Sequence, residues 1–209
     1  MKKRFLLLFI FPIVGNAQEI SNNSIEVSPY VGYNITNYRV GNETLSMTNH
    51  PNESYHVGVN INYFLNNRFS ISGGLLYQTI TSDYTVEPLI GGFSYSDRQD
   101  QLQLLQIPII AKYHFGSTRK WNVALGPTLG FVFNGETNGV DVSDQINKAH
   151  VGLQYGIGYN FYQTNRFKIG VEYRSQFGFT PIYKEKSLVR DDFSGTLVQA
   201  FNLRAAFKL

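Results

Sequence analysis

The last thirteen residues of the chain, Leu197 to Leu209, alternate between apolar and polar side chains with a period of two. This period is typical of a β-strand with two unlike faces. Thirteen residues exceed the usual length of a globular strand, about five or six residues. They suit a tilted strand that crosses a bilayer, which needs roughly 9–11 residues. The segment therefore predicts a membrane-crossing strand, provided that similar segments complete a barrel.

Seven earlier segments repeat the pattern, at residues 24–38, 54–65, 69–81, 102–115, 121–133, 149–162 and 166–179. The connections between them alternate between tight turns and longer loops, the latter at residues 39–53, 82–101, 134–148 and 180–195. An even strand count with short periplasmic turns and long extracellular loops is typical of bacterial outer-membrane barrels. The sequence thus predicts an all-β fold, an eight-stranded antiparallel up-and-down transmembrane β-barrel with both termini in the periplasm.

The two faces of the segments differ in side-chain size as well as polarity. A soluble eight-stranded barrel would turn its apolar face inward. Here the polar face is rich in glycine, which suits a narrow lumen and would weaken strands on a water-facing exterior. Aromatic residues also mark the turn-side strand ends, as a membrane-interface girdle would require: Tyr63, Phe69, Phe115, Trp121, Phe161, Phe167 and Phe207. These features favour a membrane barrel with the apolar face outward.

The N-terminus has the form of a secretory signal peptide. Lys2, Lys3 and Arg4 precede an apolar run of ten residues, and Gly15-Asn16-Ala17 provides small residues before a cleavage site. We expect a signal peptide at residues 1–17 and one barrel domain at residues 18–209. Without the three basic signal residues the chain has 15 Lys+Arg and 15 Asp+Glu, so charge gives no argument for nucleic acid. The chain has no cysteine, which excludes disulfides and a lipidated N-terminal Cys.

Charged and polar side chains on the lumen face form the first candidate site. The expected network comprises Glu26, His56, Gln106, Lys112, Glu172, Arg174, Arg204 and Lys208. Depth along the strands predicts two ion pairs, Glu172 with Arg204 and Glu26 with Lys208. Such a network is a structural plug if it is well hydrogen-bonded, and the alternative is a conducting or ligand-binding lumen.

The sequence contains no pattern that indicates catalysis, a metal or a cofactor. The four histidines are dispersed, without metal-ligand spacing, and no Gly-x-Ser-x-Gly motif is present. His150 is expected near the outer end of its strand, as in some lipid A-modifying barrels, but it lacks a nearby serine partner in a His-x-Ser pair. Acidic residues in the loops, among them Glu136, Asp141 and Asp144, do not match a calcium-loop spacing.

An apolar run in one outer loop, which includes Leu89, Ile90 and Phe93, is unusual for a solvated loop. It has two interpretations. One is a hairpin that extends the third and fourth strands above the membrane. The other is a contact surface for a partner, since exposed apolar patches often mark interaction sites.

The fourth segment supports a family resemblance. Leu105-Gln106-Ile107-Pro108-Ile109-Ile110-Ala111-Lys112-Tyr113 resembles the L-E-I-P-L-L-x-K-Y strand of the PorT-like outer-membrane β-barrel domain family of Bacteroidota, whose barrel is of the OmpA/OmpX kind. Gln106 stands where that family usually has Glu, and Leu209 replaces the usual terminal aromatic residue. The resemblance implies an outer-membrane location and allows a role in a secretion assembly.

The resulting functional hypothesis is a non-enzymatic, monomeric outer-membrane barrel with a mostly plugged polar lumen and a structural or surface-interaction role through its outer loops. The alternatives, in order, are an accessory component of a secretion or transport assembly, a small pore and a lipid A-modifying enzyme. The expected partners are outer-membrane lipid, the outer-membrane assembly machinery during biogenesis, and an extracellular or secretion-system protein. No nucleic acid and no cofactor are expected.

Overall fold

The computed structural model describes residues 23–40, 45–88, 96–184 and 193–209. The predicted signal peptide lies outside these residues. The strands in chain order are β1 (Ile25–Val40), β2 (Leu45–Phe64), β3 (Phe69–Pro88), β4 (Ser96–Phe115), β5 (Trp121–Thr137), β6 (Val140–Asp141), β7 (Ala149–Gln163), β8 (Phe167–Gly178) and β9 (Phe193–Lys208). No helix among the described residues is long and apolar enough to cross a membrane.

Eight long strands close into an antiparallel barrel. Each pairs with its neighbours in the chain, β4 pairs with β5, and β1 pairs with β9 to complete the ring. The two-residue strand β6 pairs only with the end of β5 and forms a small hairpin at the rim. The predicted eight-stranded antiparallel barrel is therefore confirmed.

The two ends of the barrel differ in their connections. The turn end holds the tight connections at residues 65–68, 116–120 and 164–166, together with Leu209, whose backbone N–H donates to the Ile25 carbonyl over 2.9 Å. The opposite end, the loop end, holds the longer connections. Because sequence-adjacent strands run up and down, both described chain ends fall at the turn end.

The outward face carries an apolar belt bounded by aromatic rings. Its members alternate with buried residues along every long strand, as in the exposed–buried pattern of β5. At the turn end the girdle rings touch one another: Phe69 with Tyr113 at 4.9 Å between ring centroids, Trp121 with Tyr159 at 4.5 Å, and Phe167 with Phe207 at 5.0 Å. On β4 the outward side chains are polar as far as Gln103 and apolar from Leu105 to Phe115. This eleven-residue stretch matches the roughly 9–11 residues that cross a bilayer.

Several strands run further toward the loop end than predicted. β2, β3 and β4 each have 20 residues, so much of the predicted loops 39–53 and 82–101 is strand. Above the belt the outward side chains are polar like many of the inward ones, so the alternation that marks a strand in sequence disappears. A one-residue bulge between Pro51 and His56 also shifts the pattern of β2. The hairpin interpretation of the loop at residues 82–101 is supported by this extension, although Leu89, Ile90 and Phe93 themselves lie outside the described residues.

A close approach of two strands leaves no room for a side chain at Gly126. A Cβ at this position would collide with the backbone carbonyl oxygen of Ile109 and would lie 2.9 Å from the Cα of Ile110. Because both are backbone atoms, no side-chain rotation can relieve the clash. We expect Gly126→Ala to lower the free energy of unfolding by about 1–3 kcal/mol.

Gly73 provides the matched control for Gly126→Ala. A Cβ at Gly73 would have no neighbour within 4 Å, so Gly73→Ala should be neutral or slightly stabilising, by up to about 1 kcal/mol. Urea unfolding of the refolded variants, followed by tryptophan fluorescence, measures both. Equal effects of the two substitutions would contradict the close approach.

Candidate functional site

The turn end of the lumen is filled by a buried ion pair on an aromatic base. Glu26 of β1 accepts a short hydrogen bond from the Lys168 ammonium group of β8. The Lys168 Nζ atom lies 5.0 Å from the centroid of the buried Phe64 ring. His114 stacks beside Phe64 at 5.1 Å between ring centroids, and its Nε2 atom lies 2.9 Å from the Ser70 hydroxyl. We call Glu26, Lys168, Phe64 and His114 the turn-end floor.

A second ion pair crosses the lumen above the floor. The Lys112 Nζ atom of β4 lies 3.5 Å from the Glu172 Oε2 atom of β8, and both side chains are buried. These strands are not neighbours in the barrel, so the pair bridges the lumen. The two charged pairs tie the barrel walls together at two depths.

The predicted register of Glu26 with Lys208 is confirmed, but the two glutamates form ion pairs with other residues than predicted. Glu172 is in register with Asn202, whereas Arg204 is in register with Gly170, two residues nearer the turn end. Glu26 is in register with Lys208, as expected, but Lys208 is only half-buried and the Glu26 carboxylate binds Lys168. Lys168 faces the small Ala206 side chain of β9, which leaves room for the lysine to reach β1.

The other predicted network residues lie in the lumen with distinct contacts. The Nε2 atom of His56 makes a short hydrogen bond with the Asn202 side-chain oxygen. Arg204 donates from Nη2 to the Asn160 side-chain oxygen over 2.6 Å. Gln106 and Arg174 are buried, and the Cζ atom of Arg174 lies 6.0 Å from the centroid of the Tyr30 ring.

Sequence reasoning missed several members of this network: Tyr30, His114, Asn160, Lys168 and Asn202. All five occupy positions whose side chains face the lumen in the alternating pattern, so the alternation alone could have placed them in the network. Their specific contacts depend on which strands oppose one another across the lumen. The alternation of residues along a single strand does not contain this information.

The loop end of the lumen is closed by apolar side chains, which the sequence analysis did not predict. We call this cluster the apolar plug. Its wall residues are Ile80, Leu102, Leu104, Val132 and Val198, and its loop residues are Val142, Ile146, Ile182 and Tyr183. The backbone N–H of Asn147 donates to the Ile182 carbonyl over 2.9 Å, which joins the two plug-forming loops. The long connections at residues 138–148 and 179–184 thus fold into the mouth of the barrel.

A buried carboxylate holds the plug at the rim. The Tyr183 hydroxyl donates to Asp100 Oδ2 over 2.6 Å, and the Thr137 hydroxyl donates to Asp100 Oδ1 over 2.8 Å. Beneath the plug, beside Gln106 and Gln176, remains a cavity of about 20 Å³. Its size corresponds to a single water molecule.

In the part of the chain that the structure describes, neither the histidines nor the loop acids assemble a metal site. Among the described residues, no group of three or more His, Cys, Asp or Glu side chains could hold an ion. His150 uses Nε2 to contact the Asn147 carbonyl oxygen at 2.8 Å. Hydrogen bonds from the Ser143 hydroxyl and backbone N–H lower the pKa of the exposed Asp141, so this carboxylate closes a local turn at the rim.

Solved structures with a similar fold are outer-membrane barrels. OprG from Pseudomonas aeruginosa is 10% identical, with 90% of this chain and 97% of that chain covered and a TM-score of 0.52. Ail of Yersinia pestis is 17% identical, with 90% of this chain and 100% of that chain covered and a TM-score of 0.43. Neisserial surface protein A is 12% identical, with 88% of this chain and 97% of that chain covered and a TM-score of 0.47. The likeness to OprG supports the fold alone.

Sequence comparison places the chain in a family. No curated protein matches it significantly, but residues 16–184 match the family model of the outer membrane protein beta-barrel domain. This match covers most of the sequence and agrees with the closed barrel, its apolar belt and its aromatic girdle. The chain therefore belongs to the outer membrane protein beta-barrel domain family and is an outer-membrane β-barrel protein.

Proposed function

We propose that this protein is a non-enzymatic, monomeric outer-membrane barrel that acts through its loop end as a surface-interaction protein. In this proposal the loop end faces the cell exterior, both termini of the mature chain are periplasmic, and residues 1–17 are the export signal. The lumen is closed and serves as a structural core rather than as a passage.

The observation that carries the proposal is the polar wall that β2, β3 and β4 form beyond the apolar belt. On β4 the outward side chains of this wall are Asp97, Gln99, Gln101 and Gln103. A bilayer needs about half of a 20-residue strand, so the remainder stands in water. An ordered β-wall above the membrane offers a rigid surface to a protein or glycan partner.

Two obstructions in series support a closed lumen. The apolar plug fills the loop end, and the turn-end floor with its Glu26–Lys168 pair fills the other end. The Lys112–Glu172 pair crosses the space between them. A solute would have to displace both an apolar cluster and buried charged groups, which is costly.

The lumen chemistry also favours a non-enzymatic role. Catalysis requires a reactive group that a substrate can approach, with a base or an oxyanion donor beside it. The buried glutamates of this lumen are engaged with lysines across the barrel.

The closed ring of paired strands leaves no sheet edge for oligomerisation through the barrel wall, which supports a monomer.

The orientation can be tested by single-cysteine labelling, because the chain has no native cysteine. Gln99→Cys is exposed on the wall at the loop end, and Ser117→Cys is exposed in a turn at the other end. In intact cells a membrane-impermeant maleimide should label Gln99→Cys but label Ser117→Cys only after permeabilisation. The reverse pattern would contradict the proposed surface role.

A second candidate function is an accessory role in a secretion or transport assembly. The β4 motif around Gln106, Ile107 and Pro108, which resembles the PorT-like family, favours it. Photo-crosslinking in intact cells separates the two functions. Replacing residues 89–93 by a two-residue turn should remove a crosslinked partner at the loop end if the surface role is correct. Crosslinks that form only at the turn end, with secretion lost on gene deletion, would support the assembly role instead.

A further inference from the structure

The charges of the described lumen do not balance. Between the turn-end floor and the apolar plug, Lys112, Lys168, Arg174 and Arg204 are buried with only two carboxylates, Glu26 and Glu172. Glu26 is paired with Lys168, whereas Glu172 lies 3.5 Å from Lys112 and also interacts electrostatically with Arg174 and Arg204. Four buried cations against two carboxylates leave an excess of positive charge, and an arginine in a protein does not lose its proton.

The two arginines differ in how their charge is accommodated. Arg204 donates to Asn160 over 2.6 Å. Arg174 is 2% exposed, and its Nε and Nη2 atoms have no hydrogen-bond partner in the protein. Its neighbours in register are Gly156 on β7 and Ala200 on β9, so neither neighbouring strand supplies a counter-charge at this position. A buried guanidinium whose N–H groups lack acceptors costs several kcal/mol, which makes this position a strong site for a counter-charge.

Other unused donors lie next to Arg174. The buried Tyr30 ring is 6.0 Å from the Arg174 Cζ atom, and the Tyr30 hydroxyl, whose oxygen the Arg174 guanidinium approaches, donates its proton to no protein acceptor. His56 stands edge-on to Tyr30 at 6.2 Å between ring centroids and binds Asn202, whose Nδ2 atom is likewise unpartnered. Arg174, Tyr30 and Asn202 thus supply N–H and O–H groups to one region, with a net positive charge.

We propose that the donor cluster of Arg174, Tyr30 and Asn202 binds a small inorganic anion, with chloride as the physiological ligand. Charge-assisted hydrogen bonds from a guanidinium and a phenol suit such an ion. A small ion is required because the apolar plug and the turn-end floor close the lumen at both ends. The bound anion offsets the excess positive charge and stabilises the closed barrel, independently of the surface role.

Thermal unfolding of the refolded full-length mature protein at constant ionic strength tests this site. Chloride or bromide is titrated against gluconate, an anion too large for the lumen. The midpoint of the wild type should rise with halide and saturate, as single-site binding requires. Arg174→Gln should lose this dependence, while Arg68→Gln, exposed at the turn end, should retain it. Equal midpoints in chloride and gluconate, or an unchanged dependence in Arg174→Gln, would overturn the proposal.

Tyr30→Phe keeps the experiment decisive if Arg174→Gln fails to fold. It removes one hydroxyl and should weaken halide binding by at least about tenfold, the effect of one hydrogen bond to a charged group. Crystals grown in sodium bromide give a direct answer through anomalous scattering. A bromide peak beside the Arg174 guanidinium supports the site, and a lumen without one at that position contradicts it.

Discussion

Replacing Glu26 by glutamine should destabilise the barrel by about 3–5 kcal/mol, because it leaves the Lys168 ammonium group buried without its counter-charge. Glu26 is 3% exposed, and its carboxylate accepts the Lys168 hydrogen bond at the turn-end floor. The nearby Phe64 ring contributes roughly 2 kcal/mol to holding the buried cation, which is less than the loss of the counter-charge. Urea unfolding in lipid vesicles measures the loss.

Two further variants separate the ion pair from general effects of substitution. Glu53→Gln is exposed on β2 and should change the free energy of unfolding by less than about 0.5 kcal/mol. The double variant Glu26→Gln/Lys168→Met removes both charges and should recover most of the lost stability. If the single Glu26 variant is as stable as wild type, the floor is not held by this pair.

Replacing Ile146 by alanine should release the apolar plug while the barrel stays folded. Ile146 is 0% exposed, forms an isolated β-bridge with Tyr183, and lies at the junction of the two plug-forming loops. Removing its side chain should cost about 2–5 kcal/mol of plug stability. Because loops open locally without global unfolding, the effect should appear as faster amide hydrogen exchange at Val142 and Asn147.

The neighbouring Val140 provides the control for the plug. It is 65% exposed in the same rim hairpin, so Val140→Ala should leave the exchange rates of Val142 and Asn147 unchanged. Unchanged rates in Ile146→Ala as well would show that the plug is not held by its apolar contacts.

Most of the barrel could be predicted from sequence because the membrane forces every crossing strand to have two unlike faces. On β5, for example, the apolar residues Leu125, Leu129 and Phe133 occupy exposed positions of the alternating exposed–buried pattern. Strand ends above the belt could not be predicted, since there both faces are polar. Asp97 to Gln101 were predicted as loop from the sequence but continue β4.

The lumen contacts were less predictable than the lumen face. Lys112 and Glu172 meet from strands that are not neighbours, and a register difference of two residues separates Arg204 from Glu172. The apolar plug did leave a signal. Leu104 beside Leu105, and Val132 between Phe131 and Phe133, are apolar on both faces at the same end of their strands.

Conductance of the wild-type protein in planar lipid bilayers tests the central claim, a barrel closed by the apolar plug and the charged pairs beneath it, most directly. We expect no steady single-channel conductance for the wild type. Ile146→Ala should also remain silent, because the Lys112–Glu172 and Glu26–Lys168 pairs still cross the lumen. Steady openings in the nanosiemens range from the wild-type barrel would contradict a closed lumen.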